Sequence, residues 1–197
     1  MAGKTEYLTR GRASQKERTR RAIVDATREL IRTGVVVAMP EISRAAAVSE
    51  ATAYRYFPDL ATLLREAMDG VWPGAEAVMA PMAEVEDPVE RVGFATEYLL
   101  RHVDACAGAV RAMIAASIIK PGTEIRPGLR RGLIECALAP ATDIAPDVLA
   151  ALTHDLTVIM SAEALFTLVD LGGLSTEEAI GRVVSTARTV TAARLAE

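Results

Sequence analysis

The chain is 197 residues long, 51% hydrophobic but only 4% aromatic, and carries a net charge of −4. No apolar run approaches the roughly 20 residues of a membrane span, and the polar start MAGKTEYLTRGR is not followed by the apolar stretch of a signal peptide, so a cytoplasmic protein with no membrane partner is expected. Cys106 and Cys136 lie far apart without CxxC partners, which suits reduced thiols in or near a core rather than a disulfide or zinc framework.

Residues 1–65 hold 12 Lys/Arg against 7 Asp/Glu, whereas residues 66–197 hold 10 against 19. A basic first third on an acidic body points to a polyanion at the N-terminal end. Residues 1–13 are polar and include Lys4, Arg10 and Arg12, the composition of a flexible basic arm. Ser14-x-x-Glu17 has the form of a capping box, so the first helix is expected from Ser14, with Ile23, Ala26, Leu30 and Ile31 on one face and Gly34 just past its end. Pro40 opens a short helix to Ala46, and Ala47-Val48 forms a turn. Ser49 caps a third helix through Tyr56, which Phe57-Pro58 ends. Asp59 caps a fourth, which runs to about Gly70, and Trp72-Pro73-Gly74 interrupts it.

Beyond that, Asp87-Pro88-x-Glu90 places a cap, a first-turn proline and an acid at the start of a helix to about Ala105. Helices are expected from Ala107 to Ile119, from Pro127 to Leu138, and from near Pro146 to Gly172-Gly173. Ser175-x-x-Glu178 is a second capping box and opens the last one. The apolar bulk is Ala, Val, Leu and Ile, which suits helices packed closely on helices, and no strand alternation or repeat interrupts the pattern. The expected fold is all-α: an arm over 1–13, a three-helix helix-turn-helix unit over 14–65, and a larger helical domain over 66–197.

The segment from Glu41 to Leu64 reads EISRAAAVSEATAYRYFPDLATLL. Two short helices joined by a tight turn, behind a longer one, make a helix-turn-helix. Ile42, Ala46, Val48, Ala53 and Phe57 supply the small and medium apolar contacts that such a crossing needs. The other side of the third helix carries Glu50, Ala51, Thr52, Tyr54, Arg55 and Tyr56. Hydroxyls suit phosphates, a guanidinium fork suits a base edge, and Ala51 permits close approach to a groove.

This stretch resembles the DNA-binding domain of the tetracycline-repressor (TetR) family, whose pattern reads approximately I-A-x-x-A-G-V-S-x-G-T-L-Y-x-H-F-x-x-K-x-x-L. Ile42, Ala46, Val48, Ser49, Thr52, Tyr54, Phe57 and Leu63 meet it in order, and Arg20, Ile23, Ala26 and Leu30 resemble the family's first helix. The resemblance covers roughly residues 16–65. Ala47 departs from the usual turn glycine, Ala51 from glycine and Tyr56 from histidine. Leu60 stands where many members place a phosphate-contacting lysine, a loss that Arg10 or Arg12 would offset. Glu50 repels phosphate but can accept from cytosine N4.

The resemblance implies a DNA-binding regulator, a repressor released from a double-stranded operator by a small-molecule effector. Arg55 and Glu50 would read bases. Ser49, Thr52, Tyr54 and Tyr56 would hold phosphates, with Arg10 and Arg12 reaching the backbone or the minor groove. Trp72, Met79, Met82, Phe94, Tyr98 and Met113 gather the adaptable side chains of the central segment. Such residues also fill ordinary cores, and it is the resemblance that implies an effector site, of apolar character, among them. Ile180, Val183, Val184, Ala187 and Val190 form one stripe, and Leu152, Leu156, Ile159, Met160 and Phe166 another. With the small residues Ala162, Gly181, Ser185 and Ala192 nearby, the resemblance implies a homodimer built on the last two helices.

His102, Asp104 and Cys106 sit close in sequence, and His154 precedes Asp155, but no third catalytic group accompanies either set, so no catalytic residue, metal or cofactor is expected. Two rival readings carry less of the sequence. One is a helical ligand-binding or enzymatic dimer whose N-terminal helices no longer bind DNA, favoured by Leu60 and Glu50. The other is a helical adaptor that binds only protein.

Overall fold

The computed structural model describes residues 2–34, 37–70, 72–119 and 129–196, with the side chains of residues 2–13 outside that description. Its regular structure is entirely helical, as expected: eleven α-helices and one 3₁₀ turn among the described residues. The chain forms two compact units, Met1–Val71 with Cys106–Arg126, and Trp72–Ala105 with Pro127–Glu197.

In the first unit, α1 (Ala2–Arg32) packs on α2 (Met39–Ala45) and α4 (Leu60–Met68), α3 (Glu50–Tyr56) packs on α2, and α7 (Ala107–Ile119) packs on α4. The first helix begins at Ala2, so residues 2–13 are helical rather than a loose arm, and the Ser14-x-x-Glu17 pair lies inside the helix instead of capping it. No proline blocks that extension, and each of Gly3 and Gly11 costs only about 1 kcal/mol. Ile23, Val24 and Ile31 are buried, and Thr27 joins them by donating to the Ile23 carbonyl at 2.8 Å. Gly34 has φ +70°, the left-handed position expected of it.

The α2–α3 turn is a Schellman motif. Ala47 N–H donates to the Arg44 carbonyl (3.2 Å) and Val48 N–H to the Ser43 carbonyl (3.0 Å), which requires Ala47 to adopt φ 53°. A side chain there crowds the following carbonyl. Ala47→Gly is therefore expected to raise unfolding stability by about 1 kcal/mol in urea titrations. A loss of stability would contradict this account of the turn.

The second unit is organised around α6 (Pro88–Ala105), which packs on α11 (Thr176–Arg194), α8 (Leu129–Leu138) and α5 (Ala75–Met79). Asp87 caps α6 by accepting from Val89 N–H at 2.8 Å, as its sequence position predicts. Val92, Ala95 and Leu99 then meet Leu133, Ile134 and Ala137 in one core. Neither α5 nor the 3₁₀ turn Ala80–Met82 has a clear sequence signature. Helix α5 lies so close to α8 that a Cβ on Gly132 would stand 2.9 Å from the Ala75 Cβ.

The long helix expected from Pro146 breaks into α9 (Pro146–Ile159) and α10 (Ala162–Asp170), bent by 43°. Met160 leaves the helical region (φ −76°, ψ 58°), and the Ser161 hydroxyl accepts from Ala164 N–H at 3.1 Å, restarting the helix with its own cap. The capping box at Ser175 and Glu178 forms with both bonds in place. No single described helix is long and apolar enough to cross a membrane.

Candidate nucleic-acid interface

Helix α3 is positioned from both ends. At its start the Ser49 hydroxyl accepts from Thr52 N–H (3.2 Å) and lies 2.9 Å from the Thr52 hydroxyl. One hydroxyl donates to the other, so one hydrogen of the pair stays available for a phosphate. Glu50 occupies the first turn, where a carboxylate complements the positive end of the helix, a local reason for an acid on this surface. Ala53 and Phe57 are fully buried and fix which side faces in, with Ile42 buried beneath them and Ala46 and Val48 half-buried. Glu50, Ala51, Tyr54 and Arg55 are left exposed, and Thr52 and Tyr56 half-buried. All the residues expected on the outer face of this helix therefore reach solvent together. Arg10 and Arg12 belong to the expected interface too, but their side chains lie outside the described residues.

At the far end of α3, the Arg20 guanidinium lies 4.6 Å from the centre of the Phe57 ring and donates to the Tyr56 carbonyl (3.5 Å). It also forms a two-point ion pair with Glu66, with Nε 3.0 Å from the carboxylate. One side chain from α1 thus holds the end of α3 and the last turn of α4. Arg28 adds a bond to the Ala67 carbonyl at 2.9 Å. Sequence reading placed Arg20 in the first helix but missed this role, because its partners are 36 and 46 positions away. It also missed Arg44 on α2, which is exposed and pairs with no carboxylate among the described residues. A lone arginine in the small apolar run EISRAAAV was the signal. Leu60 opens α4 beside the Asp59 cap, whose carboxylate accepts from Thr62 N–H at 2.8 Å.

The residues read as an effector site divide between the units. Trp72, Met79, Met82, Phe94 and Tyr98 all pack into the core of the second unit, Met79 fully buried and the rest in part. Met113 is buried on α7 of the first unit and does not belong to that group. His102, read as a surface residue, is half-buried: it stacks on Tyr98 (4.0 Å between ring centres, 25° between planes), and Trp72 meets it edge-on at 6.3 Å. Its Nδ1 lies 2.9 Å from the Tyr98 carbonyl. The Cys136 thiol is pushed up from its ordinary range, chiefly by burial and then by the Glu76 carboxylate, against the opposing charge of Arg91. Among the described residues no group of three His, Cys, Asp or Glu side chains could hold a metal ion.

The stripes read as a dimer surface need correction. Leu156, Ile180, Val183 and Ala187 are buried within their own chain, where α11 packs on α6 and α9, and Phe166 on α10 is buried as well. An amphipathic stripe records that a face is covered, not by which chain. Ile159 and Val184 remain half-exposed, beside an exposed Val158 and Gly181, Ser185 and Ala192.

A helix-turn-helix whose second helix presents hydroxyls and a guanidinium defines the class: a DNA-binding unit. Residues 23–67 match the family model described as "Bacterial regulatory proteins, tetR family". Among solved structures, a TetR transcriptional regulator from Rhodococcus sp. RHA1 is similar in fold, with a TM-score of 0.51 at 16% identity over 90% of this chain and 98% of that one. No curated protein matches the chain in sequence.

Proposed function

We propose that the protein is a transcriptional repressor that binds an operator as a homodimer and is released by a small apolar effector. The observation that carries this reading is the outer face of α3, where Glu50, Ala51, Tyr54 and Arg55 are exposed together on a short helix held at both ends. Residues 14–65 form the DNA-binding domain in this reading, residues 1–13 extend it with Arg10 and Arg12 toward phosphates, and residues 66–197 bind effector and partner. Arg55 and Glu50 read bases, while Ser49, Thr52 and Tyr54 hold phosphates, with Arg44 added from α2. The effector enters among Trp72, Met82, Phe94 and Tyr98, the half-buried members of one core. Selection from a pool of random duplex DNA tests the function. A dimer should enrich two inverted half-sites spaced by about one helical turn or its multiples. Enrichment of no sequence would contradict the reading.

For the dimer, the surface shifts to the exposed faces of α9 and α11. Gly181, Val184, Ser185 and Ala192 share one face of α11 at helical spacing and are small enough for close helix contact. Val158 is 73% exposed beside a shallow groove of about 490 Å³ lined by Ile159, Val190 and Ala193, with the Asp155–Arg194 pair at its rim. Sedimentation should show twice the chain mass at micromolar concentration. Val184→Asp should shift it to the monomer, because a charge would enter a desolvated helix contact. A wild-type monomer would contradict the dimer.

A further inference from the structure

We infer that Tyr56 serves as a platform that orients Arg55 for base reading, rather than as one more phosphate contact; this rests on the DNA-binding reading above. The Arg55 guanidinium lies 5.6 Å from the centre of the Tyr56 ring, within the range of a cation–π contact. Among the described residues Arg55 forms no ion pair, although Glu50 lies on the same helix. The distinction matters chemically. A carboxylate would engage the same N–H fork that guanine O6 and N7 require, whereas an aromatic ring engages the face of the guanidinium and leaves its donor edges free. The ring restricts the rotamers of an exposed, flexible side chain without competing with the base.

The platform is itself held. Tyr56 is half-buried, its carbonyl accepts from Arg20, and the next residue, Phe57, is fully buried under the same guanidinium. Arg20 is anchored in turn by its two-point pair with Glu66. A continuous set of contacts therefore runs from α4 through Arg20 to the end of α3 and out to Arg55. Neighbouring positions on a helix point about 100° apart, so a contact between residues 55 and 56 does not follow from helix geometry alone. It needs the long arginine to fold back over the ring.

The test compares base preference rather than affinity alone. The wild-type chain is used to select a site from random duplex DNA, and the base position whose preference disappears in Arg55→Ala is identified. Tyr56→Phe keeps the ring and should retain that preference. Tyr56→Leu removes the ring and should reduce the preference at this one position by about two- to fivefold, the range of an exposed cation–π contact, leaving other positions unchanged. In an Arg55→Ala background, Tyr56→Leu should change no preference. Circular dichroism checks that each variant folds; if Tyr56→Leu does not, Tyr56→Gln carries the same expectation. Unchanged preference in the ringless variant, or equal loss in Tyr56→Phe, overturns the platform while leaving DNA binding intact. A wild-type chain that selects no site contradicts the DNA-binding reading itself.

Discussion

Replacing Arg91 by methionine is expected to destabilise the protein by about 3–5 kcal/mol, at about 1–3 kcal/mol for each buried acceptor left without a donor, a large part of the stability of an ordinary domain. Arg91 is only 8% exposed, yet it pairs with no carboxylate among the described residues. Its guanidinium donates instead to four carbonyls: Ala137 (3.2 Å), Cys136 (2.7 Å), Val85 (3.1 Å) and Met82. Two of these belong to the last turn of α8, whose carbonyls have no partner within the helix and carry the negative end of its dipole. The other two close the segment that follows α5. One cation thus satisfies the ends of two elements packed against α6. Methionine has no donor, so the Ala137, Cys136 and Val85 carbonyls would lose the guanidinium, while the Met82 carbonyl keeps the Val85 N–H at 3.2 Å. Arg91→Lys keeps the charge but not the planar fork and should lose less. Urea titration at fixed protein concentration measures both. A loss under about 1 kcal/mol for Arg91→Met would mean that water satisfies these carbonyls instead.

The second large effect is expected on DNA. Arg55→Ala should weaken binding to the selected operator by about 1–3 kcal/mol, roughly 5- to 150-fold, and weaken binding to random duplex much less. Tyr54→Phe should weaken both by a similar factor, about 1–2 kcal/mol, because a hydroxyl on a phosphate carries no sequence information. Tyr54 is 49% exposed, an unusual position for an aromatic ring, which favours a role outside the fold. Parallel titrations of operator and random duplex separate the two residues. Equal losses on both DNAs for Arg55→Ala would remove it as a base reader.

The parts of the molecule that sequence reading reached are those written in local chemistry. Ser49, Asp59, Asp87 and Ser175 all cap the helices their positions predict, because a cap needs only a short polar side chain and a backbone N–H two or three residues on. The helix-turn-helix was legible for the same reason, including the turn at Ala47-Val48, whereas the left-handed φ of Ala47 is a finding of the structure. The break at Ser161 was equally local, a serine one residue before Ala162, but the apolar periodicity on both sides masked it. Arg91 was hidden more deeply. It shares the inner face of α6 with Val92, Ala95 and Leu99, and only the three-dimensional placement of four carbonyls distinguishes it from a solvated arginine. The division of Met113 from the other large side chains and the burial of Ile180, Val183 and Ala187 likewise depend on which element covers which.

If the first unit binds duplex DNA through its phosphates and one face of α3, that binding must depend steeply on salt. Affinity for the selected duplex should be measured by fluorescence anisotropy across a range of monovalent salt. If a dimer neutralises about four phosphates, log K should fall linearly with log salt at a slope near −3.6, more than about a hundredfold between 50 and 200 mM. Removing the guanidinium of Arg44, one contact per protomer, should make that slope shallower by about two units. No measurable affinity at low salt, or an affinity indifferent to salt, would contradict phosphate-mediated DNA binding by this unit.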